Sequence, residues 1–153
     1  HYPAIAPIIK KWWKLRYTLI PYIIAQSRKA ISSGAPLLQA LIFHHPEDKL
    51  CWHIDDEYYF GNDFLVAPVM NSENRRDVYL PEGQWVNFFT GEVLEGGRWL
   101  KDLDVPLDEM PVYVRQGATI PVYPDEVECT DEMDLSKSVE LHIDNHFKGI
   151  FKD

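Results

Sequence analysis

The segment DVYLPEGQWVNFFTGEVLEGG, residues 77–97, is cut three times, by Pro81-Glu82-Gly83, Thr90-Gly91 and Gly96-Gly97. Between the cuts, Val78–Leu80, Gln84–Phe89 and Val93–Glu95 read as strands. Val105–Leu107, Pro111–Val114 and Thr119–Val122 continue the rhythm, separated by Asp108-Glu109 and Gln116-Gly117. Short strands at roughly 8–12-residue spacing with turn residues between them predict an antiparallel sandwich or barrel. Residues 124–137 are acidic and weakly patterned, expected as a loop or linker, and Val139–Ile143 alternates like a last strand.

The first 70 residues have another texture. Ile5, Ile8, Ile9, Trp12, Trp13, Leu19, Ile20, Ile23 and Ile24 recur at three- and four-residue spacing, predicting one helix over residues 4–31 with a broad apolar stripe. Arg16 falls on that stripe, and a buried guanidinium needs a carboxylate or carbonyls because leaving it unpaired is expensive. Pro21 removes a backbone donor and predicts a kink. Gly34 suits the left-handed position after a helix end. Leu37–Phe43 and Phe64–Met70 are apolar runs of strand length, with a polar loop, His44–Asp48, after the first. The change of texture divides the chain near residue 70.

Composition narrows the function classes. Apolar residues make up 46%, enough for a packed core. Fifteen basic against twenty-four acidic residues leave a net charge of −9, which argues against nucleic acid and anionic membranes as partners. Lys10, Lys11, Lys14 and Arg16, interleaved with Trp12, Trp13 and Leu15, read as the wet side of a helix. Cys51 and Cys129 fit no metal or redox spacing and are expected as reduced thiols. No apolar run reaches the ~20 residues of a membrane span, and residues 1–30 lack the layout of a signal peptide. A chain opening on His1 without an initiator methionine is expected to be an internal segment or a processed product rather than a complete reading frame. Its compartment stays open, with the cytoplasm as default.

Three stretches together resemble a known family. RYTLIPY (16–22) is similar to the R-x-x-L-x-P-Y helix of the α-glucosidase/α-xylosidase family, glycoside hydrolase family 31. DDEYYFGNDFLVAPVM (55–70) is similar to its D-x-Q-F/Y-M-x-G-x-x-L-L-V-A-P-V segment. RDVYLPEGQWVNFFTGEVLEGG followed by VPLDEMPVYVRQGATIPV resembles its Y-L-P-x-G-x-W … T-G … G-G … P-L-x-x-I-P-V-F-V-R-x-G-x-I-I-P signature. Order and spacing agree over about residues 12–122. The positions that carry the resemblance are Arg16, Pro21, Tyr22, Asp55, Gly61, Pro68, Gly83, Trp85, Gly91, Arg115 and Gly117. Departures stand at Gln39, where arginine is usual, at Glu57 in place of glutamine, and at Tyr59 in place of methionine.

The resemblance implies a fold of mixed α and β, with the long helix and a terminal α/β segment ending a (β/α)₈ barrel and an all-β antiparallel sandwich following. Residues 1–70 would end the catalytic barrel and 71–123 begin the proximal sandwich. Residues 124–153 would complete that sandwich or lead into a distal domain. It also implies a retaining α-glycosidase acting on α-glucosides or α-xylosides without a cofactor. Such chemistry needs two carboxyls about 5–5.5 Å apart. The family's nucleophile lies in W-x-D-M-N-E, absent from these 153 residues. The chain is therefore expected to be structural, with catalytic aspartates upstream and the glycoside substrate bound by the intact enzyme. An isolated segment is expected to self-associate through the helix at 4–31.

The remaining polar residues are weighed against plainer roles. Asp55-Asp56-Glu57 is the densest local carboxylate cluster, but neighbours on an extended segment point to opposite faces. Asp55 is expected to be a structural acceptor, with Arg16 as a candidate partner. His44, His45 and His53 lack the spacing of a metal site, and Asp125–Asp134 lacks the order of a calcium loop. Trp85 and Trp99 invite a sugar contact, with packing as the simpler role of Trp85. Two competing readings are a free-standing carbohydrate-binding sandwich and an oligomerisation module with an exposed apolar face.

Overall fold

The computed structural model describes residues 3–150. A 3₁₀ turn at Pro3–Ile5 leads into α1 (Ala6–Thr18), and α2 (Ile20–Ser33) follows after the single residue Leu19. The expected continuous helix is thus two helices. Pro21 lies in the first turn of α2, where a missing amide hydrogen costs little because that position has no intrahelical acceptor. Gly34 ends α2 in the left-handed conformation, at φ 76°, and its amide donates to Ala30 O. Burial along the stripe is uneven. Leu15, Leu19 and Tyr22 are buried, whereas Ile5, Ile9 and Trp13 are exposed, Trp13 by 62%. Arg16 is exposed as well, so the desolvation that would have demanded a partner does not arise.

The chain forms two compact units, both discontinuous: residues 1–34 with 119–142, and residues 35–118 with 143–153. The second contains β1 (Leu38–Ala40), β2 (Tyr58–Phe60), β3 (Phe64–Val66), β4 (Arg75–Leu80), β5 (Gln84–Asn87), β6 (Val93–Glu95), β7 (Arg98–Asp104) and β8 (Val112–Arg115). Six of them make an antiparallel sheet in the order β1-β2-β3-β8-β5-β6, and β4 pairs with β7 in a second sheet. Tyr59, Leu65, Trp85 and Tyr113 of the larger sheet and Val78, Tyr79 and Leu80 of β4 share one hydrophobic cluster. Two sheets closing on one core make a β-sandwich.

Several boundaries differ from expectation. Leu37–Phe43 is a strand only at β1, and Leu41–Phe43 is a 3₁₀ turn. β2 and β7 were not anticipated. β7 alternates too weakly to stand out, with every residue exposed except the half-buried Leu100 and Leu103. Val105–Leu107 lies outside the strands, since Pro106 has no amide to give a ladder. The texture change near residue 70 does not mark the edge of a compact unit: β1 to β3 belong to the same sheet as β5, β6 and β8. Between β4 and β7 the register shifts, so that Asp77 faces both Lys101 and Asp102 in a bulge, with Asp102 at φ 54°.

The far end of the chain closes on this unit. Ile143 exchanges backbone hydrogen bonds with the turn before residue 119, accepting from Gly117 N at 2.7 Å and donating to Ala118 O at 2.9 Å. A Cβ at Gly91 would stand 2.5 Å from the Phe147 carbonyl oxygen. The C-terminal segment can therefore run past that turn only if residue 91 is glycine. In the first unit, β9 (Thr119–Val122) pairs with β10 (Val139–His142), and α2 packs on β9. Tyr123 N donates to Thr18 O, and Lys14 meets Glu126 at 2.8 Å. Residues 124–137 form an acidic loop with 3₁₀ turns at Thr130–Glu132 and Leu135–Lys137.

Candidate functional site

Two motif positions meet in one buried cluster of the second unit. Trp85 on β5 is 1% exposed, and its indole nitrogen donates to Pro81 O at 2.8 Å. Arg115 on β8 lies 5.5 Å from the Trp85 ring centroid and 5.3 Å from that of Tyr59. Its Nη2 donates to the Tyr59 hydroxyl at 3.1 Å, and that hydroxyl lies 2.8 Å from His45 Nε2. The hydroxyl thus accepts from arginine and donates to imidazole, which requires His45 Nε2 to carry no proton. Burial first, and the Arg115 charge second, hold the His45 pKa below its usual value. His44 stacks on Tyr59 with centroids 4.0 Å apart, and the same two effects, with His45 third, bring it down to about 4. Both imidazoles are neutral near pH 7, as a cation–aromatic stack around Arg115 demands.

A second polar group joins the layers. Arg76 on β4 is buried, and its guanidinium donates to the carbonyl oxygens of Pro68 and Asp56. It stands 3.1 Å from the Asp56 carboxylate and 3.7 Å from that of Glu57. Glu57 Oε1 accepts from Tyr79 N at 2.8 Å, while Oε2 is buried without a partner. Burial pushes the Glu57 pKa up to about 7, against the opposing pull of the Tyr79 amide and Arg76. The acidic run therefore splits. Asp55 and Asp56 are exposed and Glu57 is buried, and Arg76 is the arginine that meets Asp56 and Glu57. Sequence reasoning missed Arg76 because the expected strand began at Val78; alternation extended back from Val78 and Leu80 would have put it on the core face.

The other motif positions serve turns and packing. Tyr22 is fully buried beside the buried Pro21. Gly61, Gly83 and Gly117 occupy turns at positive φ. Trp85 is enclosed in the core and offers no face to a sugar. Trp99 on β7 is 37% exposed. His53 is exposed. Among the described residues no three histidine, cysteine, aspartate or glutamate side chains gather as a metal site would need. Asp48 accepts from the Tyr79 hydroxyl at 2.6 Å and caps the 3₁₀ turn at Leu50, a pairing across 31 positions with no sequence signature.

Residues 34–120 match the model of the glycosyl hydrolase family 31 C-terminal domain. The chain is 34% identical to alpha-glucosidase 2 of Bacillus thermoamyloliquefaciens over 94% of its own length and 18% of that protein. It is 37% identical to an alpha-xylosidase of Saccharolobus solfataricus, over 82% of this chain and 17% of the relative. Among solved structures, the Flavobacterium johnsoniae family 31 dextranase complexed with isomaltotriose superposes with a TM-score of 0.81. That match has 34% identity and covers 86% of this chain and 16% of the dextranase. The chain thus spans under a fifth of each of these relatives. The ordered motifs, the antiparallel sandwich and the match over 34–120 lead to one assignment: this chain belongs to glycosyl hydrolase family 31 and carries its C-terminal domain.

Proposed function

We propose that the chain is the non-catalytic C-terminal segment of a retaining α-glycosidase acting on α-glucosides or α-xylosides by double displacement. The observation that carries this reading is the family match at residues 34–120 in a chain with no W-x-D-M-N-E nucleophile motif. The carboxylates that the chain does own favour the same reading. Glu57 and Asp56 are both engaged by Arg76, one enclosed and one open to solvent, and neither is free to flank a glycosidic bond. The names of the relatives, alpha-glucosidase and alpha-xylosidase, supply the substrate class. In this reading α1 and α2 end the barrel, and the sandwich braces it. Trp85 and Arg115 hold the interior of that sandwich.

Hydrolysis of p-nitrophenyl α-glucoside and α-xyloside tests the proposal, run on this chain and on the full-length protein that contains it. Turnover by the longer protein alone is the expected result. Turnover by the 153-residue chain would overturn the assignment of the chemistry to upstream residues. The exposed Ile9 and Trp13 of α1 give a second expectation, because an uncovered apolar helix face drives association. The isolated chain should elute larger than a monomer in size-exclusion chromatography with light scattering. Ile9→Asp combined with Trp13→Asp should return it to monomer mass. A monomeric unsubstituted chain would remove the idea that this face seeks a partner.

A further inference from the structure

The outer face of the β4–β7 ribbon borders a groove of about 490 Å³, within the ~300–1,000 Å³ range of small-molecule sites. Trp99 is its aromatic element, flanked by its cross-strand neighbour Tyr79, whose ring is tilted 49° against it with centroids 5.3 Å apart. Around it the charges are already paired. Arg75 grips Asp102 through two nitrogens at 2.5 and 2.7 Å, and Lys101 meets Asp77 at 2.6 Å. Asp102 owes its position to the bulge, where its amide donates to Asp77 Oδ1 at 2.8 Å. Arg76 also lines the groove, and its Nε is buried with no partner.

Opposite charges interleaved at this spacing cancel as a field, so the groove does not select an ion. What it offers instead is a dense alternation of acceptors and donors beside one indole face. That combination fits a neutral ligand rich in hydroxyls with an apolar C–H face. We propose that this groove is a carbohydrate-binding site that takes a neutral gluco-oligosaccharide, with one pyranose ring stacked on Trp99. Lys101 is its gate. The ammonium sits 4.5 Å from the Trp99 ring centroid, so it must move aside before a pyranose can stack on that face. Its side chain is 62% exposed and can swing into water at little cost, because exposed ion pairs such as Lys101–Asp77 contribute little. The site needs no upstream chemistry, so its failure would leave the glycosidase reading intact.

The test is a titration of the ¹⁵N-labelled chain with maltotriose and, separately, isomaltotriose, following the tryptophan indole resonances. A saturable shift of the Trp99 indole at millimolar sugar is expected. Trp99→Leu, which keeps apolar packing on Tyr79, should weaken binding about tenfold, on the order of one aromatic contact. Lys101→Ala should bind about threefold tighter by uncovering the ring. No saturable shift at Trp99 with either sugar overturns the proposal. So does a natively folded Trp99→Leu with unchanged affinity. Should Trp99→Leu not fold, Lys101→Ala decides: tighter binding supports the stacked sugar, and unchanged or weaker binding overturns it.

Discussion

Replacing Trp85 by alanine is expected to destabilise the chain by about 3–5 kcal/mol, the range for emptying a fully buried aromatic site. Three separate losses add at this position. The indole fills the core between the sheets at 1% exposure, and its removal leaves a cavity lined by Tyr59. The Pro81 carbonyl loses its donor. Arg115 loses one of its two aromatic faces and keeps a buried Nε with no partner. Trp85→Phe should recover much of the packing and an aromatic face for Arg115 but not the donor to the Pro81 carbonyl, and so fall between the two. Urea unfolding of the three proteins measures this directly. A cost for Trp85→Ala below about 1 kcal/mol would mean that the core collapses into the vacated space.

Glu57→Gln is expected to stabilise the chain above neutral pH and to change little near pH 5. The sign follows from proton counting. An unfolded glutamate releases its proton near 4.5, whereas burial holds the folded carboxyl protonated up to about 7. Between those values the folded state binds more protons than the unfolded one, so stability falls as pH rises through the window and is level above it. The ceiling is about 3 kcal/mol, since each pH unit across that window is worth ~1.4 kcal/mol. Glutamine keeps the acceptor for Tyr79 N and carries no charge to bury. Arg76 loses a carboxylate 3.7 Å away but keeps Asp56 and the Pro68 carbonyl, which places the gain below that ceiling. Denaturant midpoints at pH 5 and pH 8 decide. A variant weaker than the original at pH 8 would show that attraction to Arg76 outweighs the cost of burial.

What the sequence made legible was local. Gly34, Gly83 and Gly117 each mark a backbone turn of positive φ, and Val93–Glu95 and Thr119–Val122 carry their strand character in their own residues. The family motifs were legible for the same reason, being short and ordered. What escaped depends on partners far along the chain. β7 looks like a loop because nearly all of it faces water, and only its register with β4 makes it a strand. Ile5, Ile9 and Trp13 carry the period of a buried face, but period reports amphipathicity and not what covers it. The Tyr59 cluster gathers His44, His45, Trp85 and Arg115 from separate stretches, and no spacing rule joins them. Glu57 was visible only as a departure at a motif position; its burial, and hence its titration, belongs to the sandwich.

The two compact units are interleaved along the chain, one owning residues 1–34 and 119–142, the other 35–118 and 143–153. No single cut can part them. A crossover at residue 34 leaves the 119–142 hairpin with the wrong parent, and one at 118 strands the closing segment that caps Gly91. Chimeras between relatives must therefore exchange this region whole, or exchange 1–34 and 119–142 together, the second piece joined at its clamped neck, where Ile143 bonds both Gly117 and Ala118. The same neck makes residues 124–137 the tolerant place for added length, since its ends are already fixed by the β9–β10 ladder and doubling a flexible loop costs only about 0.6 kcal/mol.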